Sequence, residues 1–175
     1  MFLEGAQWAS EHPDDALAEE RRPHLPFLEQ AVALALAAES AGNLPIGAVI
    51  VLKGEVIAQG QNSLLEPHYH PGRHGEIEAL KQVPAPLWRQ ASAMVCYTTL
   101  EPCVMCLGAL THARLSRLIY AADEPRAGSI VSSQQYDALT HFNHRINVSA
   151  GLLSEQSADL LKSFFRSRRA KTRQS

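Results

Sequence analysis

From Pro26 onward, apolar residues recur at helical spacing. Leu28, Val32, Ala35 and Leu36 fall three and four apart in an alanine-rich stretch, and Gly42-Asn43 supplies a stop. The period then changes. Ile46 to Leu52 predicts a buried strand, Lys53-Gly54-Glu55 a tight turn, and Val56 to Gln59 an antiparallel partner. Gly75 to Gln82 predicts a helix that stops before Pro84 and Pro86. Ala93 to Thr99, where β-branched and aromatic residues cluster, predicts another strand. A helix from Cys103 to about Ala113 and a strand at Leu118 to Ala122 follow. Strand, helix, strand without a hairpin turn implies a right-handed parallel crossover. Gln134 to Leu139 predicts a short helix, Ile146 to Ser149 a last strand, and Ser154 to Arg169 a final helix. That helix is expected to be capped by Ser154, with Ser157 and Asp159 in its first turn and arginines at its end. The sum is an α/β fold: one mixed five-stranded sheet with helices on both faces, a three-layer α/β/α domain.

Residues 1–24 mix proline, acids and alanine without a period and read as an N-terminal extension, leaving 25–175 as the domain. A chain of 175 residues fits one core and buries enough surface to fold without staples. Its longest apolar run, Ile46 to Leu52, is far short of the ~20 residues of a membrane span. No basic flank precedes an apolar stretch at the N-terminus, and three cysteines make no disulfide framework, so a cytoplasmic setting is expected. The formal charge of −2 is unevenly spread. Seven acids against Arg21 and Arg22 give −5 over residues 1–30, leaving +3 for the rest. No acid follows residue 159, while Lys162, Arg166, Arg168, Arg169, Lys171 and Arg173 crowd the end. Such a tail is equally suited to phosphates or to plain solvation.

Chemistry concentrates in two short segments, His74-Gly75-Glu76 and Pro102-Cys103-Val104-Met105-Cys106, each opening a predicted helix. One histidine and two cysteines make a three-ligand set for zinc with a fourth position open, the pattern of a catalytic site. Helix N-termini favour thiolates, and the i, i+3 spacing puts both sulfurs on one side of the first turn. Glu76, two residues beyond His74, can face the open position and carry a proton from water to a ring nitrogen and then to a leaving amine. H-x-E followed by P-C-x-x-C is the signature of zinc nucleobase deaminases. A redox C-x-x-C pair would not bring H-x-E with it. A structural zinc in a non-enzymatic nucleic-acid-binding module would need a fourth ligand, His68 or His70 being the candidates. Cys96, inside a strand, is expected to pack.

At these residues the sequence resembles the bacterial tRNA adenosine deaminase branch of the cytidine-deaminase-like superfamily, from about Phe27 to Arg169. Leu44 to Val49 looks like that family's first strand and its approach, and Thr99-Leu100-Glu101-Pro102-Cys103-Val104-Met105-Cys106 is nearly its zinc-cysteine segment. Gly60-Gln61-Asn62 is similar to the segment ending in an asparagine that contacts the nucleoside. Asn143-His144-Arg145 and the Phe164-Phe165-Arg166-Ser167-Arg168-Arg169 ending look specific to the tRNA-editing branch. The resemblance implies a zinc-dependent hydrolytic deaminase and a homodimer, acting on adenosine in a tRNA anticodon loop. It implies Asn62, Gly75, Glu101 and Pro102 at the substrate, and Arg166, Arg168 and Arg169 on RNA. Three features depart from it. Gly75 replaces the usual alanine, as in fungal cytosine deaminase. His68 to Arg73 replaces the usual Asp-Pro-Thr-Ala, and Asp123-Glu124 stands where Arg-Asp is common. The alternative substrate is therefore a free base or nucleoside: cytosine, guanine, adenosine or guanosine.

Overall fold

The computed structural model describes residues 22–130 and 143–172. Helix α1 (Leu25–Ser40) leads to strands β1 (Gly47–Leu52) and β2 (Glu55–Gln61). Helix α2 (Gly75–Gln82) and a 3-10 segment (Ala85–Ala93) precede β3 (Met94–Leu100). Helix α3 (Val104–His112), β4 (Arg117–Ala122), β5 (Asn147–Ala150) and α4 (Ser154–Thr172) complete the order. The sheet runs β2-β1-β3-β4-β5. β1 is antiparallel to both β2 and β3, whereas β3, β4 and β5 are parallel, as the crossover through α3 requires.

Alternation along the strands sorts the core into two layers. Ala48, Ile50, Leu52, Met94 and Cys96 face α2 and α3, packing with Ala79, Leu107 and Leu110. Val49, Val51, Tyr97 and Ile119 face the other way, against Leu28 of α1. Leu161 of α4 closes the far end against Ile46, Leu100 and Ala122. Two glycines let the helices approach this closely. A Cβ on Gly47 would lie 2.2 Å from the Ala31 carbonyl oxygen of α1, and one on Gly60 would lie 2.2 Å from the Ala79 nitrogen of α2.

The structure departs from the expected elements in three places. Residues 22–24, assigned to the extension, are docked: Arg22–His24 forms a 3-10 turn, and His24 Nδ1 is hydrogen-bonded to the Tyr97 hydroxyl at 2.8 Å. The stretch Ala85–Ala93, where no helix is predicted, is a 3-10 segment with a kink at Gln90; Pro84 and Pro86 pre-set the φ of its start. In α4, Ser154 is the first helical residue, preceded by Leu153 in the left-handed region (φ 57°), and the acid of the first turn is Glu155. The short helix expected at Gln134 to Leu139 lies outside the described residues. No helix among those residues is long and apolar enough to cross a membrane.

Candidate metal centre and its surroundings

Both functional helices start at the same end of the sheet. His74 is the extended residue before α2 (φ −79°, ψ 152°), and its carbonyl accepts the Glu78 N–H at 2.9 Å as the first turn closes. Cys103 holds the same position before α3 (φ −69°, ψ 168°), with its carbonyl accepting the Leu107 N–H at 2.9 Å. β3 delivers Cys103, and the Glu101 N–H bonded to the Ala122 carbonyl at 2.7 Å keeps that segment on the sheet. The result is convergence. His74 Nδ1 lies 3.7 Å from Cys103 Sγ and 3.5 Å from Cys106 Sγ.

These donors can hold a metal ion. Tetrahedral zinc, with bonds of about 2.3 Å to sulfur and 2.0–2.1 Å to nitrogen, sets sulfur–nitrogen separations near ~3.6 Å. Donor identity and spacing therefore both fit it. Among the described residues no fourth histidine, cysteine or acid joins the group. His68 and His70, the candidates for closing a structural site, are exposed on the preceding loop, and His70 Nδ1 accepts the Gly72 N–H at 3.1 Å. The donor set is left with an open side.

Glu76 fills that neighbourhood. It is 3% exposed, its Oε1 accepts the Thr98 hydroxyl at 3.2 Å, and its Oε2 accepts the Cys106 thiol at 3.5 Å. Burial pushes its carboxyl above the usual range. The two ligand cysteines behave as a pair. The hydrogen bond from Cys106, with those from His74, pulls the Cys103 thiol down to about 4. That same bond, burial and the nearby Glu76 push the Cys106 thiol up. The bond to Cys103 in turn raises His74. Cys96 is buried in the core, where burial holds its thiol well up; it packs, as expected.

The flanking residues have distinct surroundings. Asn62 is buried, its N–H donates to the Ile46 carbonyl at 2.8 Å, and its Oδ1 accepts the Leu64 N–H at 3.1 Å. Gly75 is buried against the β1 backbone, where a Cβ would lie 3.2 Å from the Ile46 oxygen. Glu101, expected at the substrate, has both carboxylate oxygens turned to a loop: Oε2 accepts Glu124 N–H at 2.9 Å and Oε1 accepts Ile130 N–H at 2.8 Å. The Pro102 carbonyl accepts the N–H (3.1 Å) and the hydroxyl (2.7 Å) of Ser129. This segment clamps the loop after β4 against the approach to Cys103. Arg166, Arg168 and Arg169 are exposed along α4, outside the convergent group. The Arg168 guanidinium lies 5.6 Å from the Phe164 ring centroid. His144 Nε2 is hydrogen-bonded to the Leu115 carbonyl at 2.6 Å, a loop-holding contact.

Three residues in this neighbourhood were not singled out from the sequence. Thr98 reaches Glu76 only because the strand alternation puts it on the α2 face with Met94 and Cys96. Asn43, buried at the end of α1, accepts the Leu65 and Glu66 N–H groups at 2.7 and 2.9 Å. Ser129 is the third. Of these only Asn43 carried a local signal, an amide directly after a helix-stopping glycine.

Residues 23–169 match the family model for MafB19-like deaminases. The chain is 35% identical to the tRNA-specific adenosine deaminase of Bacillus subtilis (strain 168), across 83% of this chain and 90% of that protein. It is also 35% identical to the tRNA-specific adenosine deaminase of Agrobacterium fabrum, across 82% of this chain and 94% of the relative. Among solved structures, one from biochemical and structural studies of A-to-I editing by tRNA:A34 deaminases at the wobble position of transfer RNA superposes with a TM-score of 0.70. It is 34% identical and covers 77% of this chain and 98% of its own.

Proposed function

The chain belongs to the MafB19-like deaminase family, and from that premise we propose that it hydrolyses adenosine to inosine and ammonia in a tRNA anticodon loop. The observation that carries the reading is the grouping of His74 Nδ1 and the Cys103 and Cys106 sulfurs at tetrahedral-metal spacing, beside the buried Glu76 carboxyl. Identity of about a third to tRNA-specific adenosine deaminases, over most of both chains, supports adenosine in tRNA over a free base or nucleoside. The exposed arginines of α4 supply cations for phosphate contacts.

His74, Cys103 and Cys106 would hold zinc. When bound, zinc supplies a Lewis-acidic centre that brings the pKa of a coordinated water to about 7. Glu76 moves the protons. A carboxyl raised by burial takes a proton from the attacking water and passes it to the adenine ring nitrogen N1; it then takes the remaining proton of the oxygen newly bonded to the ring carbon and delivers it to the amine, which departs as ammonia as the carbonyl forms. Thr98 holds the carboxyl in place through Oε1. Asn62 keeps its Oδ1 on the Leu64 N–H and offers its amide nitrogen to the base edge. The helix N-termini below the site favour the negative charge that builds on the reacting centre. Gly75 and Pro102, each adjoining a residue that would hold zinc, belong to the same substrate reading. A cytoplasmic homodimer belongs to the same reading, and Val104 and Met105, exposed beside the ligand cysteines, supply apolar surface for a second subunit.

The test is a substrate panel. The purified zinc form is incubated with an anticodon stem-loop carrying the target adenosine and, separately, with adenosine, guanosine, cytosine and guanine. Inosine in the stem-loop is expected. Turnover of a free base or nucleoside at ordinary enzyme rates, with none on the stem-loop, overturns the tRNA reading.

A further inference from the structure

The arm between Asn62 and His74 contains His68 to Arg73, one of the three departures from the family resemblance, and it springs from both sides of the site. Ser63 N–H closes its base on the Arg73 carbonyl at 3.0 Å, and farther out His70 N–H donates to the Leu64 carbonyl at 2.8 Å. Asn43 anchors its outward run through the Leu65 and Glu66 N–H groups, and the His70 ring secures its turn through the Gly72 N–H. Arg73 is tied sideways to Glu78 at 3.3 Å. The arm is therefore held by hydrogen bonds along its length, although it projects into solvent.

At its turn stands Tyr69, 69% exposed, more than any other large apolar side chain singled out among the described residues. Tyr69 makes no hydrogen bond and no ring contact among those residues, so its ring contributes little to the fold. Its neighbours His68 and His70 are also exposed, and Glu66 is the single acid between Asn62 and His74. An exposed aromatic ring on a hydrogen-bonded, acid-poor arm beside a deaminase site suits an unpaired nucleotide. An adenosine entering the site must leave its stack, and the base next to it loses a partner in the process. Aromatic side chains replace such a partner, which is how proteins commonly hold single-stranded RNA.

We propose that Tyr69 is a stacking platform for the base adjoining the target adenosine. This rests on the RNA reading of the site, and it assigns the altered arm a role in holding the loop.

The experiment reads stacking without turnover. An anticodon stem-loop with 2-aminopurine at the residue following the target adenosine is titrated with the full-length zinc protein, and quenching gives both stacking and Kd. Wild type is expected to quench. Tyr69→Ala should abolish the quench and raise Kd by about 5- to 150-fold, the range of alanine substitutions at base-stacking aromatics. Tyr69→Phe should restore both, since the ring and not the hydroxyl is used. Zinc content and Tm of the alanine variant should match wild type. No quench in wild type, equal Kd in wild type and Tyr69→Ala, or a changed solution mass of Tyr69→Ala would each overturn the proposal, the last by making Tyr69 a subunit contact. Quenching by wild type without inosine formation would leave the platform standing and remove the deamination reading instead.

Discussion

Thr98 donates its hydroxyl to Glu76 Oε1 across 3.2 Å, linking the middle of the sheet to the first turn of α2. Both groups are buried, so the bond helps to fix the carboxyl in one orientation. Thr98→Val keeps the shape and removes the donor. A buried hydrogen bond of this kind contributes about 1–2 kcal/mol, which predicts a fall in kcat of about 5- to 30-fold with KM and zinc content unchanged. Steady-state kinetics with metal analysis check this; wild-type kcat in the variant would show that Thr98 does not position Glu76.

The Glu101 carboxylate accepts two backbone N–H groups of the loop after β4, and a Cβ on Gly128 would lie 2.3 Å from that carboxylate. Glu101→Ala strands both donors and is expected to cost about 2–4 kcal/mol. For a chain of this size that lowers Tm by roughly 5–15 °C in thermal melting. Gly128→Ala should destabilise through the same contact, and the double variant should cost less than the sum, because both changes act on one clamp.

Two glycines, one packed on α2 and one at its start, should respond unequally. A Cβ on Gly60 meets the α2 backbone at 2.2 Å, whereas one on Gly75 meets the Ile46 oxygen at 3.2 Å. Gly60→Ala must push α2 outward with His74 and Glu76, so it should cost about 3 kcal/mol and weaken zinc binding. Gly75→Ala needs a shift of a few tenths of an ångström and should stay within about 1 kcal/mol of wild type. Denaturant melts and zinc titration distinguish the pair.

If the α4 cations meet phosphates, converting Arg166, Arg169 and Lys171 to Gln should flatten the salt dependence of stem-loop binding. The expected change is up to ~0.7 in slope for each phosphate no longer neutralised on single-stranded RNA. Arg168 is left in place because it also covers Phe164. An unchanged slope would take these residues out of the interface.

The parts of this molecule legible in its sequence are those encoded locally. β1 announces itself by an apolar run, and α2 and α3 by the residues that open them. The donor set was legible because each half-site is a short segment at a helix start, and a strand–helix–strand order returns both to one end of the sheet. What could not be read is made by contacts across space. Nothing beside Thr98 marks it as the partner of a residue 22 positions earlier. The Glu101 carboxylate bonds a loop more than twenty residues on, a contact that its motif does not announce. The 3-10 segment escaped because Pro84 and Pro86 read as the end of a helix, while here they start short turns that break again at Gln90.

The central claim is that Glu76 moves protons without holding the metal. Glu76→Gln keeps the size and the hydrogen-bonding capacity of the side chain but cannot accept and return a proton. The decisive measurement is inosine formation in an anticodon stem-loop by this variant, made beside its bound zinc. About one zinc per chain, as in wild type, with turnover lower by a factor of at least ~100 is the predicted result. Wild-type inosine formation, or loss of the zinc together with activity, would contradict it.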